Sequence, residues 1–347
     1  MLTELVLSAN KGGPAMYAWD LRTGTVRTSF KQCDVGHHSV AAAGSRDGPN
    51  LSPSLFLALK SDCLSISAYS WSKELPMLTF RCPEKLACIA ASPDGVFCAA
   101  GAYNSGNVYV WEIATGTMLA CFQAHRGTVT VIRFSNDGTL LITGGHDALV
   151  QSWIVSNVVA IESLALDSRT AHTTMADHSL PITDIQVGGG TAASGRIVST
   201  GRDGRCNVWD LATGELVVTF VLPCPVWSAV IDPSERFVYM GCDDGLIRMA
   251  SLYKRNATTG DISSVGETTA TVGSNVIAVS SASSETAFIG HSQAVRSLSL
   301  SFDATLLVSG SDDGSVNVWD TVSRKALRTF TGHKGAQITH VDIIISP

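Results

Sequence analysis

The sequence predicts an all-β fold, a seven-bladed β-propeller, and three observations carry that prediction. Charged residues make up only 16% of the 347 residues, where about 25% is ordinary for a soluble domain. A surface poor in charge must be built from Ser, Thr, Gly and Asn, which suits sheets and turns better than surface helices. The second observation is a dipeptide that recurs at Trp19-Asp20, Tyr69-Ser70, Trp111-Glu112, Trp153-Ile154, Trp209-Asp210, Ala250-Ser251 and Trp319-Asp320. Three of the six gaps between these anchors are 41 or 42 residues, matching a blade period of about 40–45. Seven anchors give seven blades. The third observation is an apolar segment at residues 337–345 that follows the last anchored unit and has no partner within it.

The elements follow in order. Residues 2–9 read as a second strand, and residues 15–19 and 26–30 follow as the third and fourth, so the first blade lacks its innermost strand. The fourth unit is the clearest: residues 129–134 alternate, Asn136-Asp137-Gly138 turns, residues 139–143 return, and residues 149–153 complete a third strand. Such a sheet is apolar on both faces, and stacking in a ring covers both. At the end, residues 326–330 form an outer strand, Gly332-His333 opens another unit, and residues 337–345 are expected to supply the missing strand of blade 1. The whole chain, 1–347, then reads as one closed ring.

Within the units a second pattern repeats. A Ser or Thr stands four residues before an Asp, and that Asp six before a Trp: Thr143/Asp147/Trp153, Ser199/Asp203/Trp209 and Ser309/Asp313/Trp319. His125, His178 and His291 lie 22, 25 and 22 residues before the aspartates. The pattern resembles the WD40 repeat and covers nearly the whole chain. In that family the four groups form a hydrogen-bonded chain from indole through hydroxyl and imidazole to carboxylate, bracing each blade. A Ser/His/Asp set would otherwise suggest a hydrolase, but an active site occurs once and this set occurs three times.

Other chemistry is poorly supported. Gly188-Gly189-Gly190-Thr191-Ala192-Ala193 fits a loose dinucleotide fingerprint, yet no βαβ unit follows to hold a pyrophosphate. No Walker A, GxSxG or HExxH sequence occurs. The nine cysteines contain no CxxC and read as small buried hydrophobes rather than a disulfide framework or a metal site. The reading is therefore a non-enzyme with no cofactor and no metal. A net charge of −6 argues against gripping bare nucleic acid. The longest apolar stretch, residues 217–231, is interrupted by Pro223 and Pro225 and too short to span a bilayer. With no signal peptide at residues 1–10, the expectation is a soluble intracellular protein.

Function is expected in what the ring does not need. Two wide gaps mark insertions, one at 156–177 after the blade-4 Trp and one at 254–287 between blades 6 and 7. The first carries Val158, Ile161, Leu164 and Leu166, a short amphipathic helical turn in need of a partner. The second is rich in Ser, Thr and Gly, reads as a solvated loop, and opens on the basic pair Lys254 and Arg255. These six residues are the candidate partner-binding positions.

A narrower resemblance rests on Cys82-Pro83, Cys88-Ile89-Ala90-Ala91-Ser92-Pro93-Asp94-Gly95, Trp111-Glu112-Ile113-Ala114-Thr115-Gly116, Gly144-Gly145-His146-Asp147-Ala148-Leu149-Val150 and His178-Ser179-Leu180-Pro181-Ile182-Thr183-Asp184. These strings resemble the WD-repeat subunit of the rixosome, a nuclear complex of large-subunit ribosome assembly. The resemblance implies a non-catalytic scaffold in the nucleus (nucleolus and nucleoplasm) that binds a helical-repeat subunit and docks on the pre-60S particle. It also implies support for rRNA spacer processing and for recruitment of a midasin-type AAA+ ATPase, with RNA reached mainly through partners. Members of that family continue into a helical tail implicated in self-association, so a homodimer through such a tail, absent before Pro347, is also implied. The alternative reading is a generic WD40 adaptor, such as a ubiquitin-ligase substrate receptor or a reader of chromatin and histone peptides.

Overall fold

The structure is a computed structural model that describes residues 4–11, 15–31, 36–43, 55–60, 62–160, 170–255, 262–264, 276–279, 287–333 and 335–345. Seven antiparallel sheets form the blades of a propeller. Each blade runs from an inner strand to an outer one. Blade 3 shows the order plainly, with Leu86–Ala91, Phe97–Ala102, Asn107–Glu112 and Met118–Gln123 laid side by side. Blade 4 follows as Val129–Phe134, Leu140–Gly145, Val150–Ile154 and Thr173–Met175. The anchor dipeptides close the third strands, as in Arg205–Asp210 of blade 5 and Val316–Asp320 of blade 7.

The ring closes as the sequence predicts. Ile338–Ile345 pairs antiparallel with Glu4–Asn10, in a register running from Glu4↔Ile345 to Asn10↔Ile338, and becomes the innermost strand of blade 1. Its other neighbour is the inner strand of blade 7, Val295–Leu300. Ser297 Oγ donates to Val341 O at 3.2 Å and accepts from Val341 N at 3.0 Å, and Ser299 Oγ accepts from Ile343 N at 3.0 Å.

The buried apolar residues fall into clusters between blades rather than within them. Val218 and Phe220 of blade 5 meet Ala229 and Met240 of blade 6, and Val308 and Val318 of blade 7 meet Val6, Ile338 and Val341 of blade 1. Each sheet gives apolar residues to both neighbours, so no blade can bury itself alone. Inner strands repeat a bulge at the same place, between Leu86/Cys88, Val129/Val131, Ile182/Asp184, Val226/Ser228 and Val295/Ser297. An extra residue there sharpens the local twist, at the end of the strand that enters the axis.

The structure gives the first insertion an outer strand and relocates the second. Thr173–Met175, inside the 156–177 segment, pairs with Val150–Ile154 as the outer strand of blade 4. Ala287–Phe288 pairs with Ile247–Ser251 as the outer strand of blade 6, so the 254–287 segment lies within blade 6, not between blades 6 and 7. Both segments connect the third strand of a blade to its fourth. Part of the second segment is strand, not loop. Val276–Ala278 adds in parallel to Leu216–Val221, with Phe220↔Ile277 as partners, covering an otherwise open sheet edge of blade 5.

Candidate functional site

The three predicted His/Ser/Asp/Trp sets each form one hydrogen-bonded chain. In blade 5, Trp209 Nε1 donates to Ser199 Oγ at 2.8 Å, Ser199 Oγ lies 2.9 Å from His178 Nε2, and His178 Nδ1 lies 3.1 Å from Asp203 Oδ2. Blade 4 repeats this through Trp153, Thr143, His125 and Asp147, at 3.1, 2.9 and 3.0 Å. Blade 7 does so through Trp319, Ser309, His291 and Asp313, at 2.8, 2.7 and 3.1 Å. An indole N–H can only donate, so the hydroxyl proton must go to Nε2 and Nδ1–H to the carboxylate. The hydroxyls of Ser199, Thr143 and Ser309 are fully buried, each held between an indole N–H and an imidazole nitrogen. The sets brace blades.

Local sequence makes the fit possible. A Cβ on Gly145 would sit 2.4 Å from His125 Nδ1, and one on Gly201 would sit 2.8 Å from His178 Nδ1. Each carboxylate also ties down the His-bearing loop, through Arg126 N to Asp147 and Ser179 N to Asp203, both at 3.0 Å. Burial alone would raise Asp147, but the hydrogen bonds from His125 and Arg126 outweigh it and bring the carboxyl to about 2. Replacing Ser199 by Ala strands a buried indole N–H and an imidazole nitrogen. The expected cost is about 1–3 kcal/mol, read as a lower denaturation midpoint with unchanged m-value.

A fourth bracing set escaped the sequence reading. Trp19 Nε1 donates to Ser8 Oγ at 2.7 Å, and Ser8 Oγ lies 2.8 Å from His333 Nε2. Ser8 stands eleven residues before Trp19 instead of ten, which hid it from the repeat. Burial pulls His333 down to about 4, so the ring is neutral. The set joins the two ends of the chain inside blade 1.

The axis of the ring is crossed by two histidines that carried no sequence signal. His37 and His38 precede the inner strand of blade 2, Val40–Ala43, with His38 in the left-handed region at φ 53°. His38 Nε2 donates to Thr183 O of blade 5 at 2.9 Å, and His37 Nε2 to Arg296 O of blade 7 at 2.8 Å. Arg133 of blade 4 places Nη2 3.4 Å from His38 Nδ1 and 3.5 Å from Asp184 Oδ1. Burial drives both imidazoles well below their ordinary range, helped at His37 by His38 and at His38 by Arg133, and burial raises Asp184. The adjoining axial cavity, about 430 Å³, is lined by Phe134, Val187, Ile231 and Leu300 among others.

On the face that carries the bracing aspartates, Trp227 is half-buried at the start of Val226–Ile231 in blade 6. Arg296 lies 3.8 Å and Arg202 5.0 Å from the centre of its ring, and its Nε1 donates to Asp243 at 2.7 Å. Asp312 fixes Arg296 from the other side, at 2.7 Å to Nε and 2.6 Å to Nη2. Arg202 is exposed. Both guanidinium groups lie over the ring, a cation–π arrangement that fixes the indole on this face. The signal was a Trp outside the blade-anchor spacing.

The six candidate partner-binding residues fare differently. Val158, expected on an apolar turn in need of a partner inside or outside the molecule, lies in the short helix Val155–Val159 and is 3% exposed, in the core cluster that holds Phe122 and Trp153. It is core, because the helix folds back over the blade 3–4 gap. Ile161, Leu164 and Leu166 lie outside the described residues. Lys254 and Arg255 sit in the strand Tyr253–Arg255, paired with Ile262–Ser264, away from the other four in sequence.

The family described as WD domain, G-beta repeat, matches residues 116–153 and 282–320. The chain is 32% identical over 350 residues to pre-rRNA-processing protein crb3/ipi3 of Schizosaccharomyces pombe, covering 94% of the chain and 74% of the relative. It is 34% identical over 336 residues to pre-rRNA-processing protein IPI3 of Yarrowia lipolytica, covering 95% and 72%. WD repeat-containing protein 18 of Danio rerio is 32% identical over 268 residues, covering 77% of the chain and 57% of the relative.

Proposed function

Because the chain belongs to the family of WD40 pre-rRNA-processing proteins that includes crb3/ipi3, the rixosome WD-repeat subunit, we propose that it serves large-subunit ribosome assembly as a non-catalytic scaffold. The observation that carries this reading is a match collinear over 94% of the chain, running through all seven blades instead of a few repeat motifs. A rigid ring with bracing sets buried in its blades offers surfaces rather than a reaction centre. Its partners are protein subunits of a rixosome-like complex, a helical-repeat scaffold first, then a midasin-type AAA+ ATPase and the pre-60S particle. The net charge of −6 favours reaching RNA through those proteins. The place of action is the nucleus.

A tagged full chain, affinity-purified from cells and fractionated on sucrose gradients, tests the reading. The expected outcome is sedimentation with pre-60S particles and recovery of ribosome-assembly factors. Absence from those fractions, with cullin or histone machinery recovered instead, would replace it with the adaptor reading.

A further inference from the structure

Blade 6 carries the aspartate of the bracing set but not its partners. Asp244 stands where Asp203 and Asp313 stand, ahead of a tight turn through Gly245, yet Met240 replaces the hydroxyl and Ala250 the tryptophan. No indole-to-carboxylate chain can form. Two thiols fill the space instead. Cys242 sits two residues before the aspartate, the place held by Gly201 in blade 5, and is fully buried. Cys224 lies in the loop before the inner strand, the side from which His178 enters in blade 5, and is partly exposed. The two sulfurs and an Asp244 carboxylate oxygen all lie within 4.8 Å of one another.

Arg248 decides what this cluster can be. Its side chain is 4% exposed, Nη1 lies 3.5 Å from Cys224 Sγ, and Nη1 and Nη2 reach Asp244 at 3.1 and 2.6 Å. Its Nε is buried with no hydrogen-bond partner. A fixed guanidinium beside the sulfur and carboxylate stands where a cation would need to bind, and it stabilises a thiolate rather than a metal. We infer that Cys224 and Cys242 are a redox-active pair in which Cys224 reacts first with a peroxide and Cys242 then resolves it to an intramolecular disulfide.

The steps balance. The Cys224 thiolate attacks one peroxide oxygen, the O–O bond breaks, and hydroxide leaves and is protonated to water, giving a sulfenic acid. The Cys242 sulfur then displaces the sulfenic oxygen as a second water, forming the S–S bond. Two thiols and one peroxide yield one disulfide and two waters. The environment supports this order of events. A hydrogen bond from Cys242 brings the Cys224 thiol down to about 7 against the effect of burial, while the same bond and burial push Cys242 up. The product would be a covalent brace in the one blade whose anchor positions are Met240 and Ala250. It also lies beside Asp243, which holds Trp227 at the ring's face.

Treating the folded full chain with a few equivalents of hydrogen peroxide, blocking remaining thiols with N-ethylmaleimide and digesting with trypsin tests this directly. Cleavage after Arg205, Arg236 and Arg248 leaves Cys224 and Cys242 on separate peptides. The expected result is a linked pair two hydrogens lighter than the sum of the reduced peptides, lost on treatment with dithiothreitol, with fragmentation placing the link at Cys224 and not Cys206. In Cys242→Ser the link disappears and dimedone labels Cys224. Both thiols remaining maleimide-modified after peroxide would overturn the inference. So would a one-to-one zinc complex of the reduced wild-type chain that shields both thiols from maleimide. The wild-type measurement stands alone if the variant does not fold.

Discussion

Deleting residues 336–347 is expected to abolish the single cooperative unfolding transition of the ring. The deletion removes Ile338–Ile345, the innermost strand of blade 1. It leaves Glu4–Asn10 paired on one side only, with Ala15–Asp20, and an unpaired strand edge invites association with other chains. It also takes Ile338, Val341 and Ile343 out of the cluster that joins blades 7 and 1, exposing Val308 and Val318. In a repeat architecture stability is close to a sum of unit and nearest-neighbour terms, and a closed ring has no terminal unit. Opening it creates two. Calorimetry or circular dichroism should show a broad, lower-temperature transition with aggregation in place of one sharp step. A truncated chain that melts like the full one would refute the closure argument.

Replacing Val158 by Asp is expected to destabilise the fold by about 4 kcal/mol or more, because it buries a carboxylate among apolar groups with no partner. Val158 lies in the same cluster as Val155, Phe122 and Trp153, and the rings of Phe122 and Trp153 are 4.7 Å apart. Trp153 is also the head of the blade-4 bracing chain, so the damage extends to Thr143 and His125. Val322→Asp provides the control. Val322 is 83% exposed, and the change there should stay within about 0.5 kcal/mol. Chemical denaturation of both variants separates the outcomes, and an unaltered midpoint for Val158→Asp would return this residue to the list of partner contacts.

What was legible in the sequence is what repeats. The Ser/Thr-x3-Asp-x5-Trp spacing exposed three bracing sets because blades 4, 5 and 7 solve the same packing problem with the same register. Blade 1 showed the limit of that method: one extra residue between Ser8 and Trp19, and a histidine supplied from the far end of the chain, kept its set out of alignment. Both insertions were found by their lengths, and the second was misplaced. Short strands such as Ala287–Phe288 and Thr173–Met175 carry too few residues for an alternating pattern to show. Val158 was taken as a candidate partner contact for a related reason, since an amphipathic turn looks the same whether its apolar side meets a partner or its own blade.

The sequence by itself determined the ring, because strand alternation, turn residues and anchor spacing are local properties that each unit states independently. It also determined the closing strand, because an apolar segment left over at one end fits the strand missing at the other. Only the tertiary structure decided what meets across the axis and between units. His37 and His38 reach Arg296 and Thr183 over separations of 259 and 145 residues, Arg202 and Arg296 converge on Trp227 from different blades, and Cys224, Cys242 and Arg248 gather around Asp244. Those meetings depend on how the blades are angled around a common centre. That angle is set by the packing between sheets, which no local spacing encodes.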